Sequence, residues 1–244
     1  MRALALLVSL TLAFPVTAQV FESSAGPIRV TQVAEGLDHP WGLAFLPDGR
    51  FLVTERDGLL KLVAADGTAT EVAGVPEVAA RGQGGLLDVA LAHDFAESGR
   101  IYLSYSRPEP SGRARTAVAA ATLDLAGPAL SGVTDIFRME PATRGGRHFG
   151  SRIVVTPEGN LFVTLGDRGE RDMAQDTNTH QGTLIHILPD GTPAPGNPFL
   201  SGGGLPEIFS WGHRNAQGAA LDPATGTLWT VEHGARGGDE INRP

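Results

Sequence analysis

Apolar and polar positions alternate with period two along four stretches of the chain, and the four share one plan. Each opens on Gly, runs through an alternating apolar segment, turns at Asp, Pro or Gly, and returns as a short apolar run ending near Thr or Ser. The copies read GLAFLPDGRFLVTE from Gly42, GLLDVALAHDFAESGRIYLSYS from Gly85, GSRIVVTPEGNLFVTLGD from Gly150 and GAALDPATGTLWTVEHG from Gly218. Leu43 and Phe45 in the first copy, and Ile153 and Val155 in the third, set the period of half-buried strands. The dipeptides Asp48-Gly49 and Glu158-Gly159 supply the turns, so each copy predicts a hairpin. Further strands are predicted at Leu59 to Ala64, Ala117 to Leu123 and Thr183 to Leu188, with turns at Asp66-Gly67 and Asp190-Gly191.

About four strands per copy, recurring every ~40 to 70 residues, is the pattern of a β-propeller, in which each blade buries its faces against its neighbours. A β-sandwich also uses short, Gly-punctuated strands, but it has no reason to repeat a whole hairpin four times. In a propeller, equivalent positions form a ring around the axis. The residues ahead of each repeat glycine are His39-Pro40-Trp41, Gln83, His148-Phe149 and Arg214-Asn215. A histidine, an arginine and two amides on one face would hold a polar ligand and move a proton.

Composition agrees with this fold. The 32 glycines and 17 prolines among 244 residues exceed the usual shares and favour many tight turns, hence an all-β chain. A formal net charge of −8 without a run of Lys or Arg argues against a nucleic-acid partner. The absence of cysteine excludes disulfides and thiolate metal sites. Arg2, the apolar stretch from Ala3 to Phe14 and the small residues Val16-Thr17-Ala18 form a signal-peptide pattern with cleavage expected after Ala18. The expected organisation is a signal segment over 1–18 and one propeller domain over 19–244, exported to a periplasm, with no membrane insertion after cleavage.

His148, in GGRHFGSRI, is the candidate general base, because imidazole titrates near neutrality. Arg214-Asn215, in SWGHRNAQG, offers a guanidinium fork and an amide to a carboxylate or quinone oxygen; alternatively Arg214 braces carbonyls between blades. Gln83, in RGQGGLLD, either presents donor and acceptor to a ligand or caps a turn. The segment GDRGERD, Gly166 to Asp172, lacks the spacing of a calcium loop and reads for the most part as a solvated turn. In HGARGGDEIN, His233 to Asn242, small residues leave carbonyls accessible and Asp239-Glu240 adds hard oxygen ligands suited to Ca²⁺. Phosphate-binding glycine loops, nucleophile elbows and zincin motifs are all missing.

The segments HPWGLAFLPDG, GQGGLLDVALAHDF, HFGSRI, TLGDRGERDMAQD, APGNPF and SWGHRNAQG resemble the PQQ-dependent aldose sugar dehydrogenases and soluble glucose dehydrogenases, from about Gly36 to the last residue. That resemblance implies a six-bladed propeller, of which about four blades are visible here, with pyrroloquinoline quinone (PQQ) at the mouth and Ca²⁺ beside it. It implies His148 as the base for an aldose C1 hydroxyl, and Gln83, Arg214 and Asn215 as cofactor contacts. Carbonyls of Gly234 and Ala235 would serve as ligands of the cofactor's Ca²⁺, Glu240 would bind a second Ca²⁺, and Asp167 would lie near the active site. An external electron acceptor would complete the cycle. Two departures stand out: Ile185-His186 replaces the usual Leu-Arg, and Ala235 replaces a proline. The family also continues beyond the position of Pro244, so the flanking blades are expected to show apolar faces. A non-catalytic binding propeller and a Ca²⁺-dependent propeller lactonase are the rival readings.

Overall fold

A computed structural model describes residues 19–244; the signal-segment expectation for 1–18 lies outside the described residues. A small hairpin comes first, β1 (Gln19–Phe21) and β2 (Ile28–Val30). It was not foreseen, because three-residue strands are too short to display a period. Blade one follows as β3 (Pro40–Phe45), β4 (Phe51–Glu55), β5 (Leu59–Val63) and β6 (Ala69–Glu71). Blade two comprises β7 (Leu86–Leu91), β8 (Arg100–Glu109), β9 (Arg113–Asp124) and β10 (Ala129–Arg138), with the one-turn helix α1 (Phe95–Ser98) between β7 and β8. Blade three is β11 (Gly150–Val155), β12 (Leu161–Leu165), β13 (Thr183–Ile187) and β14 (Ile208–Trp211). Blade four has three strands, β15 (Ala216–Leu221), β16 (Leu228–Glu232) and β17 (Glu240–Asn242). All pairings within the blades are antiparallel and sequential, and the first strands adjoin one another in the order β3, β7, β11, β15. The all-β, four-bladed propeller arrangement read from the repeat is therefore present.

Strand alternation divides the core. Leu52, Leu60, Leu86, Val89, Ile101 and Leu103 pack between blades one and two. Tyr102, Val118, Ile153, Leu161, Val163 and Ile185 pack between blades two and three. Adjacent residues of β8 thus serve opposite cores, as a period of two requires, and Ile101 to Ser106 are buried throughout. In β16 only one face is buried, and Trp229, Val231 and Ile241 of blade four are exposed, as are Leu43 and Phe45 of blade one. His186 stacks on Phe162 with ring centroids 4.1 Å apart, so the departure at that position changes a contact remote from the axis.

The hairpins correspond, but the glycines that revealed them do not. Each first hairpin closes with a backbone bond, from Leu46 to Arg50, Ala92 to Arg100, Thr156 to Asn160 and Asp222 to Thr227. Four residues earlier stand Gly42, Asp88, Arg152 and Gly218. Gly85 and Gly150 fall three and two residues ahead of that level, so the repeat frame needs correction in blades two and three. Glycine is not tied to one level of these strands; what all four share is a bulge, between Pro40 and Leu43, Leu86 and Val89, Gly150 and Ile153, and Ala216 and Gly218. The N–H groups of Gly42, Asp88 and Arg152, displaced from the ladder there, donate to Thr54 Oγ1 at 2.8 Å, Ser104 Oγ at 2.9 Å and Thr164 Oγ1 at 3.0 Å. Thr54 and Ser104 pass a hydrogen bond on to the next blade, at the carbonyls of Leu87 and Ser151.

At this level one side chain or carbonyl from each blade forms a girdle. Arg152 Nη1 donates to Asp88 Oδ1 at 2.6 Å, and Arg152 Nε to the Gln217 carbonyl at 3.2 Å. The Arg152 guanidinium carbon lies 4.7 Å from the centroid of the Trp41 ring. Asp88 Oδ2 accepts the Ile153 N–H at 2.8 Å. Gly42 is required here, since a Cβ on it would stand 2.8 Å from Asp88 Oδ1. Burial drives the Asp88 carboxyl up to about 6, against the pull of Arg152. Between the usual carboxylate value and about pH 6, the folded chain therefore holds a proton that the unfolded chain has released. The stability contributed by Asp88 is greatest in acid and declines as pH rises through that window. Thermal melting of parent and Asp88→Asn chains across it should show this decline in the parent and not in the variant.

Candidate functional site

Eight residues before each hairpin-closing residue stand Asp38, Gly84, His148 and Arg214, so His148 and Arg214 are equivalent in blades three and four, and Gln83 lies one residue ahead of its level. His148 is buried in a left-handed conformation, φ 55°, which few side chains adopt without support. The support is local. The His148 N–H donates to Gln83 Oε1 at 2.6 Å, and Gly166, where a Cβ would stand 2.0 Å from the His148 carbonyl, lets β12 end against it. His148 Nδ1 lies 2.6 Å from Asp167 Oδ1. An ionised carboxylate only accepts, so the imidazole proton is on Nδ1 and Nε2 is left to accept a proton.

The same network reaches blade four. The Asp167 N–H donates to the Arg214 carbonyl at 2.8 Å, and the Gly150 N–H to Asn215 Oδ1 at 3.1 Å. Arg214 Nη1 donates to the carbonyls of His233 and Gly234, both at 2.9 Å. Gln83 thus caps a backbone N–H of the next blade and not a turn of its own, and Arg214 braces carbonyls within blade four and not between blades. Gln83, His148, Arg214 and Asn215 nevertheless come together in one region. Its cleft, about 440 Å³, is lined by Asp167, Arg171, Gln175, His213, Arg214 and Ala235 among others, while His148 touches the lining residue Asp167 but does not itself line the cleft. A larger hollow of about 530 Å³ near Tyr105 and Arg107 offers less chemistry, because Asp135 there already pairs with Arg107 and Arg138 at 2.9 and 2.8 Å.

The GDRGERD segment divides sharply. Arg171 and Asp172 are solvated, as expected, but Asp167 and Arg168 are buried. Arg168 donates to the carbonyls of Arg147 and Gly145 and lies over the Phe149 ring. Burial, with Arg81 adding repulsion, pulls its guanidinium down to about 9. Sequence reasoning also missed Glu232. Its carboxylate takes the Arg214 N–H and lies 2.8 Å from His213 Nδ1. The repeat held the signal, since Glu55 in blade one accepts the Asp38 N–H at 2.9 Å from the matching position.

The cleft size suits a small planar ligand, and Arg171, Arg214 and Gln175 offer donors to an anionic one, so the residues fit PQQ. For calcium the donors are weaker. No cluster of three or more His, Asp or Glu exists among the described residues, Asp239 Oδ1 accepts the Gly234 N–H at 3.0 Å, and Glu240 is exposed. The Gly234 carbonyl is a hard oxygen of the kind calcium takes, and here it accepts from Arg214 Nη1 at 2.9 Å.

The propeller thus carries a carboxylate-oriented histidine near an arginine-lined cleft. Residues 37–244 match the Glucose / Sorbosone dehydrogenase family, and the chain belongs to that family. It is 47% identical over 223 residues to aldose sugar dehydrogenase YliI of Escherichia coli (strain K12), a match covering 89% of this chain and 59% of that protein. The crystal structure of the soluble aldose sugar dehydrogenase Asd from Escherichia coli in its apo-form superposes with a TM-score of 0.83 at 46% identity, over 87% of this chain and 62% of that one. The PQQ-bound form of the aldose sugar dehydrogenase Adh from Streptomyces coelicolor gives 0.80 at 33% identity, over 95% and 65%. The chain thus spans about three fifths of the curated relative's length. Among the described residues no helix is long and apolar enough to cross a membrane.

Glu232 sets the geometry of this region. Burial opposes its ionisation, yet the bonds from His213 and the Arg214 N–H hold its carboxyl below the usual value. Its stabilisation is therefore present at neutral pH and lost as pH falls through the lowered value. Glu232→Gln should cost about 1–3 kcal/mol, read at neutral pH as a lower denaturant midpoint with an unchanged slope.

Proposed function

We propose that the chain belongs to a PQQ- and calcium-dependent enzyme that oxidises aldose sugars at C1 to the lactone, with His148 as general base. The observation that carries this reading is the His148–Asp167 contact at 2.6 Å beside the Arg214-lined cleft. It is supported by membership of the family and by the names of its relatives.

When bound, PQQ would supply the hydride acceptor and calcium a Lewis acid. The remaining chemistry falls to the chain. His148 Nε2 takes the proton of the C1 hydroxyl, while Asp167 holds the Nδ1 proton and stabilises the imidazolium that results. Gln83 keeps His148 in its left-handed conformation and, with Asn215, offers amide donors to the cofactor. Arg214 brings positive charge to the side of the cleft where negative charge develops. Carbonyls of Gly234 and Ala235 would hold the cofactor's calcium, and Glu240 a second, structural one. We further propose export under the 1–18 signal segment, a single propeller domain from residue 19, action in the periplasm, and an external electron acceptor.

The test is reconstitution of a full-length form with PQQ and Ca²⁺, addition of an aldose, and measurement of dye reduction. His148→Asn should lower turnover by about 10² to 10⁴ while PQQ still binds by calorimetry. Equal turnover in parent and variant would remove His148 from the mechanism. PQQ binding without sugar-dependent reduction in the parent would leave a binding protein.

A further inference from the structure

His213, the histidine that lines the cleft, stands in a relay that the proposed sugar oxidation does not use. Ser210 Oγ and His213 Nε2 are 2.9 Å apart, and His213 Nδ1 and Glu232 Oε2 are 2.8 Å apart. The carboxylate side chain is 5% exposed, the imidazole 11%, and Ser210 is half-buried. All three rest on fixed backbone. Ser210 lies in β14, opposite Leu184, and Glu232 ends β16 of the next blade. Between Ser210 and Glu232, the turn at Gly212 and His213 is anchored by N–H bonds to the carbonyls of Ala174 and Gly182, both 2.9 Å.

The repeat shows what part of this arrangement the fold requires. In blade one Glu55 caps the Asp38 N–H with no histidine or serine attached, whereas in blade four Glu232 caps the Arg214 N–H and also orients His213. Because Glu232 only accepts, the imidazole proton sits on Nδ1, Nε2 is the acceptor and the Ser210 hydroxyl is the donor. Nucleophile, base and orienting carboxylate then stand in the order used for acyl transfer, a constellation recognised by geometry and not by fold. His213 lines the same cleft as Arg214, Arg171 and Gln175, whose side-chain donors could face a developing oxyanion.

We propose that Ser210, His213 and Glu232 form a nucleophilic triad that opens sugar lactones. The choice of substrate rests on the reading above, in which the lactone, an internal ester, is formed beside this cleft. Ser210 Oγ bonds to the lactone carbonyl carbon as its proton passes to His213 Nε2. The ring C–O bond breaks, and the departing ring oxygen takes that proton to become a hydroxyl. Water then adds to the acyl-serine ester, giving its proton to His213, which returns it to Ser210 Oγ as the aldonic acid leaves. No oxidant or reductant is consumed.

The assay uses the full-length form, its folding checked by thermal melting, with neither PQQ nor sugar. Opening of gluconolactone is followed by pH-stat at mildly acidic pH, and a fluorophosphonate probe is mapped by mass spectrometry. The chain should open the lactone faster than buffer and carry the probe on Ser210. Ser210→Ala, with its folding checked by thermal melting, should lower the enzymatic rate by at least about 10²-fold and lose the label. A parent rate equal to that of buffer, or a parent chain left unlabelled at Ser210, overturns the proposal; labelling is read on the parent alone, so a misfolded variant does not obscure it. Because PQQ is absent, failure here leaves sugar oxidation untouched, and failure of sugar oxidation leaves this assay readable.

Discussion

Every blade turns its first strand toward the shared axis, and each of those strands bulges at the same point, freeing backbone groups where neighbouring blades meet. Satisfying those groups is the constraint around which the rest is arranged. Hydroxyls on the second strands catch the freed N–H groups in three blades, and two of them hand a bond across to the next blade. The Asp88–Arg152 pair then ties blades two and three, while the same guanidinium reaches Gln217 in blade four and the Trp41 ring in blade one. A buried ion pair is weak evidence of net stability, because desolvation opposes it. Its value here is positional: the fork of one arginine fixes four strands relative to one another.

That girdle determines where the candidate site stands. His148 and Arg214 lie four residues before the girdle level in their blades, so the packing that sets Arg152 also sets the spacing of the His148 and Arg214 backbones. The left-handed His148 is held from three sides, by Gln83, Gly166 and Asp167. A side chain so constrained keeps one orientation, with Nδ1 turned to Asp167.

The repeat also separates what is structural from what is additional. Glu55 and Glu232 make the same backbone cap, yet only Glu232 continues to a histidine and a serine. Arg168 likewise shows that charge in a loop is not proof of solvation: carbonyls of the 145–147 turn and the Phe149 face provide a buried seat for a cation.

The repeat of apolar alternation and turn dipeptides was enough to determine the propeller, its hairpins and the approximate ring of His148, Gln83, Arg214 and Asn215, because strand period and turn chemistry are local. Local reading failed where glycine was taken to mark the frame: Gly42 and Gly218 share a level, but Asp88 and Arg152, not Gly85 and Gly150, occupy it in the middle blades. Only the hydrogen bonds that close each hairpin show which residues share a level. The partnerships of Asp167 with His148 and of Glu232 with His213 were decided only in three dimensions. Each joins residues 19 positions apart across the first hairpin of one blade, at the end away from its turn, where the bulged register and the course of the chain beyond the paired strands decide which side chains meet.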